Sequence, residues 1–163
     1  MKHTPAGIWS IDEAETFVRR SQADGKAVVV TNGVFDLLHP GHVRYLSAAR
    51  GHGDALIVAI NSDRSARTNK GPGRPLVPEG ERAEVLAALT VVDGVVIFDE
   101  DTPQALIARL LPDVLVKGAD WPADQIVGRD VVEGRGGRVV RIEVAQGHST
   151  SRLVGKVRGS SKS

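Results

Sequence analysis

The chain contains no cysteine. Disulfides, thiolate nucleophiles and cysteine-held metals are excluded, and the composition fits a reducing compartment. Aromatic residues are only 4% of the total, too few to build the stacking platforms that hold single-stranded nucleic acid. No charge of one sign dominates: the formal net charge is +1, which offers no general electrostatic grip on nucleic acid. No apolar run approaches the roughly 20 residues of a membrane span. The opening MKHTPAGIWSIDEAE has no apolar stretch and acquires acidic residues early, unlike a signal peptide. These absences lead us to expect a cytoplasmic protein with neither nucleic acid nor membrane as partner.

What is present suits a globular domain: 163 residues, 41% hydrophobic and 25% charged, enough for one real core. Ser10 with Glu13 forms a capping box that opens a helix over 11–22. AVVVTNG (27–33) is a β-branched run ended by glycine, which predicts a buried strand. A helix over 41–50 follows at once, with Val43, Leu46 and Ala49 at helical spacing. DALIVAINSD (54–63), GVVIFD (94–99), DVLVKG (113–118) and RVVRIEV (138–144) supply four more strands. Between them we read a basic Gly/Pro-rich loop (64–78), a helix with Pro78 in its first turn, a helix over 103–111 capped by Thr102, and a helical turn at 129–134. Ser149 caps a last helix starting at Thr150.

The strands are continuous apolar runs, not alternations, and helices separate them. Both facts predict an α/β fold: a Rossmann-like, doubly wound parallel sheet of about five strands with helices on both faces. Residues 1–158 are expected to form one domain and 159–163 a disordered tail.

The chemistry concentrates where the first of these strands ends, in Gly33-Val34-Phe35-Asp36-Leu37-Leu38-His39-Pro40-Gly41-His42. In an open parallel sheet, ligands bind beyond the carboxyl ends of the strands. Gly33 lets the backbone approach a ligand, and Gly41 begins a helix whose free N–H groups and dipole suit a phosphate. His39 and His42 are placed to donate to that anion. A lone histidine at a helix start is more often a cap. Two of them flanking Pro-Gly after a glycine-ended strand are hard to explain as packing. Zinc needs three or four ligands, and His3, His52 and His148 complete no pattern.

Four further segments bear on the same site. The loop NSDRSARTNKGPGRP (61–75) carries Arg64, Arg67, Lys70 and Arg74, with Gly71 and Gly73 to permit motion. Alone it is a solvated basic loop; beside a phosphate site it can close on the ligand and neutralise developing charge. Arg82, at the start of a helix, is either a surface residue or a ligand for an acceptor's phosphate. Lys117-Gly118 and Asp120-Trp121 end a strand where a base and ribose would lie, although Gly and Asp also favour plain turns. Ser149, Thr150 and Ser151 stand together at a helix N-terminus: one hydroxyl is a cap, three form a second phosphate cradle.

The 33–42 segment resembles the GxFDxxHxGH signature of the nucleotidylyltransferase superfamily, and GHSTSRLV (147–154) resembles its ISTSxLI-type motif, with His148 where isoleucine is usual. TNGVFDLLHPGHVRYL, IVAINSDRS, KGPGRPLVP, FDEDTPQALIARLLPDVLVKGADW and GHSTSRLV are together similar to the branch that makes ADP-heptose, often met as the second half of a fusion with a kinase. Cytidylyltransferases of the superfamily commonly carry an arginine before the serine-threonine motif; here Val144-Ala145-Gln146-Gly147 has none.

The resemblance implies transfer of AMP from ATP to D-glycero-β-D-manno-heptose 1-phosphate, with release of pyrophosphate, in lipopolysaccharide-core synthesis. The alternative is a cytidylyltransferase acting on a polyol phosphate such as glycerol 3-phosphate. His39, His42 and Lys70 would be catalytic. Asn32, Gly33, Val34, Phe35, Gly41, Lys117, Gly118, Asp120, Ser149, Thr150 and Ser151 would bind ATP. Asp36, Asn61, Asp63, Arg74 and Arg82 would serve the sugar phosphate. For Asp36 a role toward the site or a metal and a simple helix-start hydrogen bond are both open. Mg²⁺ would be carried mainly by the ATP phosphates. A separate heptose kinase would supply the acceptor, and the family's habit suggests a homodimer.

Overall fold

A computed structural model describes residues 7–144 and 149–160. Its centre is one parallel six-stranded sheet in the order β1-β4-β3-β2-β5-β6, formed by β1 (Gly7–Trp9), β2 (Val28–Gly33), β3 (Ala55–Asn61), β4 (Gly94–Phe98), β5 (Val114–Gly118) and β6 (Arg138–Ile142). Every pairing is parallel, with Val30 opposite Ile57 on one side and Leu115 on the other. The sheet has one strand more than the sequence suggests. The addition is β1, three residues paired to β4 at the sheet's edge, too short to announce itself by periodicity.

Parallel strands buried on both faces account for the unbroken apolar runs. Val29, Leu56, Val58, Ile60 and Val95 pack with Leu46, Ala49 and Leu86 of helices α2 (Pro40–Arg50) and α4 (Glu79–Ala87). Val28, Val30, Ile57, Ala59, Val96 and Phe98 face the other way, onto α1 (Ile11–Ala23) and α5 (Gln104–Leu110). Leu46, Leu56, Ile57 and Leu86 are fully buried, each contributing about 1.5–3 kcal/mol. The N-terminus of α1 is built as expected: the Ser10 hydroxyl accepts from the Glu13 N–H at 3.1 Å. The Thr102 hydroxyl meets the Gln104 N–H at 3.5 Å, with Pro103 between them as the cap position of α5. The short helix α6 (Arg129–Gly134) leads into β6.

The expected basic loop is half helix. Residues Asp63–Lys70 form α3. Ser62 caps it, accepting from Ser65 N–H at 3.1 Å, and Ser65 with Ala66 is buried beneath it. Gly71 and Gly73, both with φ near +90°, then turn the chain into a strap over 71–78. The last helix, α7 (Thr150–Ser160), extends two residues into the stretch expected to be a disordered tail. Residues 161–163 and His148 lie outside the described residues.

From β2 the chain steps outward through β3 and β4, then returns to the other side of β2 as β5 and β6. The reversal falls between β2 and β5. A doubly wound sheet opens its ligand crevice at such a switch point.

Candidate active site

The turn after β2 delivers the histidine pair to this crevice. Phe35 adopts a left-handed φ of 50°, and its ring is buried below Gly33, where an added Cβ would approach it to 2.9 Å. His39 is the cap position of α2 and Pro40 opens the first turn. The His39 and His42 rings stack with centroids 3.8 Å apart and planes 24° from parallel, and Phe35 lies against His42 at 5.3 Å. His42 Nδ1 accepts the His39 backbone N–H at 3.4 Å. A neutral imidazole arranged this way carries its proton on Nε2.

Burial, reinforced by the neighbouring His39, lowers the His42 pKa to about 4. His42 is therefore a neutral donor at physiological pH. The same shift makes a stability prediction. Between pH 6.5 and about 4 the unfolded chain binds a proton at position 42 that the folded chain does not, so stability falls as pH drops through that window. Urea unfolding across it should show a flatter pH slope for His42→Asn than for the parent.

The N-terminus of α7 reaches the same turn. Thr150 Oγ1 donates to the Leu37 carbonyl at 3.2 Å, and Ser149 Oγ accepts the Arg152 N–H at 3.0 Å, which makes it the cap. Ser151 is exposed. Two eleven-residue helices, α2 and α7, thus point their positive ends at one small region, a double anion site by dipole and free N–H groups.

The β5 side forms a second wall. Lys117 Nζ donates to Asn32 Oδ1 at 2.9 Å and lies 5.0 Å from the centre of the Trp121 ring. Burial lowers its pKa to about 8; the Asp120 carboxylate opposes the shift and Lys70 adds to it. Lys70 thus acts electrostatically on this wall from the end of α3. Gly118 is required by space: a Cβ there would stand 2.5 Å from Asp120 Oδ1. Gly118→Ala should displace that carboxylate without loss of fold, which a melting curve and the NMR shifts around Asp120 would check.

Four residues expected at the acceptor's phosphate hold the protein together instead. The Arg82 side chain is fully buried. Its nitrogens donate to the carbonyls of Val77, Val34 and Asn61 at 2.8–2.9 Å and to Asp63 Oδ1 at 2.8 Å. It has no face left for a ligand, and it occupies Asp63. Asn61 turns its amide inward to Ser65 Oγ at 3.0 Å. Asp36, its side chain 2% exposed, accepts the N–H groups of Leu76 and Val77 and Nε of Arg74, all near 3 Å. A saturated carboxylate has no capacity for a phosphate or a metal. Arg64 is fastened to Asp99 and Asp101. No sequence periodicity signals these roles, because the partners lie up to 48 residues apart.

Among the described residues no group of three or more His, Asp or Glu could hold a metal ion. Among the described residues no helix is long and apolar enough to cross a membrane.

A parallel α/β sheet with two helix N-termini and a stacked histidine pair at its switch point defines the class of α/β proteins built to hold an anion such as a phosphate at that crevice. The cytidylyltransferase-like family model matches residues 30–153, and the chain belongs to that family. It is 52% identical over 96% of its length to the bifunctional protein HldE of Citrifermentans bemidjiense. It is 53% identical over 88% of its length to that of Gluconobacter oxydans. It spans about a third of the length of these curated relatives, 32% and 30% respectively. Among solved structures, a lipopolysaccharide core biosynthesis protein from Thermoplasma volcanium superposes with a TM-score of 0.65 at 30% identity, covering 75% of this chain and all of that one. A pantoate-β-alanine ligase from Francisella tularensis, at 14% identity and a TM-score of 0.59, shares the fold, covering 90% of this chain and 69% of that one.

Proposed function

We propose that the protein transfers AMP from ATP to D-glycero-β-D-manno-heptose 1-phosphate, giving ADP-heptose and pyrophosphate for lipopolysaccharide-core synthesis. The observation that carries a nucleotidyl transfer is the meeting of the α2 and α7 N-termini at Leu37, with the His39–His42 stack between Phe35 and the crevice. The choice of acceptor rests on the sequence resemblance, and half-identity to the HldE proteins supports it.

The chemistry needs no general base. The acceptor phosphate is already anionic, so its oxygen attacks the α-phosphorus in line as the bond to pyrophosphate breaks. Catalysis is positioning and charge stabilisation. His42 and His39 donate to the α- and β-phosphates as charge moves onto the leaving group. The α7 N-terminus with Ser149, Thr150 and Ser151 holds the outer phosphates. Lys70 supplies positive charge from the end of α3. Asn32, Lys117, Gly118 and Asp120 line the nucleoside side, and Gly33, Val34, Phe35 and Gly41 give the turn its shape. The triphosphate oxygens would hold Mg²⁺, which would offset their charge; Asp36 would not be among its ligands, because both its oxygens accept protein N–H groups. The acceptor must come from a sugar kinase. A homodimer in the cytoplasm is our expectation for the working form.

The test is pyrophosphate release with Mg²⁺, comparing ATP with CTP, each alone, with heptose 1-phosphate and with glycerol 3-phosphate. Release only with ATP plus the sugar phosphate is the expected result. Release with CTP and a polyol phosphate would overturn it in favour of a cytidylyltransferase.

A further inference from the structure

The geometry points to Arg74 as the clamp for the acceptor's phosphate and to Asp36 as the residue that aims it, an inference that rests on the nucleotidyl-transfer reading above. Strand β2 has two flanks, β5 on one and β3 on the other. Its β5 side is the switch point and is walled by the Lys117–Asn32 pair and Trp121, so the nucleotide belongs there. The β3 side is covered by the 71–78 strap, which is pinned from two directions. Arg82 holds the Val77 carbonyl while also holding the ends of the β2 turn and of β3 at Val34 and Asn61. Asp36 holds the Leu76 and Val77 N–H groups. A strap fixed this firmly presents its side chains at set positions beside the histidine turn, on the flank the nucleotide leaves open.

Arg74 is the charged side chain on that strap. Arginine and carboxylate commonly pair through two parallel hydrogen bonds. Here the contact is single, Nε to Asp36 Oδ2 at 3.0 Å. Among the described residues neither Nη group of Arg74 has a protein partner, and the side chain keeps 21% exposure. Asp36 lies three residues before His39, so the guanidinium is anchored next to the α2 N-terminus, where the α-phosphate would sit. An anchored Nε with two spare Nη donors is a planar fork matched to phosphate oxygens. A lysine could not reproduce it.

The experiment combines kinetics with calorimetry on the full chain. Arg74→Gln and Arg74→Lys should raise the KM for heptose 1-phosphate about 10- to 100-fold while the KM for ATP stays within about twofold. Calorimetric binding of heptose 1-phosphate, with a non-hydrolysable ATP analogue present, should weaken in parallel. Guanidinium ions should restore part of the acceptor affinity in Arg74→Gly, a rescue that a purely structural arginine would not show. Asp36→Asn keeps an acceptor for the strap but loses the charged anchor, and should give an intermediate rise in acceptor KM. Unchanged acceptor binding in Arg74→Gln, or equal losses for ATP and acceptor, would overturn the inference. Arg74-dependent binding of the sugar phosphate without any pyrophosphate release would leave the clamp standing and remove the proposed reaction.

Discussion

Replacing His42 with alanine should leave a folded protein that releases pyrophosphate about 10²–10³-fold more slowly, the usual cost of removing one preorganised transition-state donor. The loss should fall on kcat more than on the KM for ATP, because the charge that His42 meets grows as the bond to pyrophosphate breaks. The fold should survive. His42 is partly exposed, and its side chain accepts the His39 N–H at 3.4 Å and bonds the Leu37 backbone, local contacts of the helix start worth about 1 kcal/mol each. Circular dichroism and a melting curve would establish the fold, and a coupled pyrophosphate assay the rate. A folded His42→Ala protein with near-normal turnover would sink the assignment of the histidine pair.

Arg82→Met should do the reverse, destabilising the protein by about 3–5 kcal/mol and lowering the melting temperature by about 10 °C or more. Methionine fills much of the volume but leaves three buried carbonyls and the Asp63 carboxylate without their donor. A buried group stripped of its partner carries its full desolvation cost. Any variant that remains folded should show weakened acceptor binding as well, since the strap loses one of its two pins. If Arg82→Met melted like the parent and changed only the acceptor KM, Arg82 would be a ligand and not a pin of the fold.

The contrast between these residues shows what a sequence reveals. The β2–α2 unit was legible because its signals are local: a β-branched run, a glycine, Pro40 at a helix start, two histidines three apart. The crevice followed from the order of strands. Helix α3 was missed because SARTNK has almost no apolar face; Ser62, its cap, read more naturally as the end of an apolar strand. Edge strand β1 was missed because three residues carry no period. Arg82 and Asp36, each open to two readings from sequence, are less legible for a different reason. Whether a charged side chain faces water or knits backbone is decided by carbonyls and N–H groups from distant segments, here residues 34, 61 and 77 for Arg82.

The docking of α7 carries a consequence of another kind. Thr150 joins this helix to Leu37 across 113 residues of sequence, and beyond Thr150 most of its side chains, Leu153 and Val157 among them, remain exposed. A triphosphate gripped by both helix ends would act as a brace between the last part of the chain and the first catalytic turn. Measured nucleotide affinity would then be a net quantity, the contact energy less the conformational entropy lost as α7 is immobilised. Amide hydrogen exchange in α7 would slow on ATP binding while the sheet barely changed. Truncating the helix after Thr150 would weaken the nucleotide less than its contacts suggest, because the ordering cost disappears along with them.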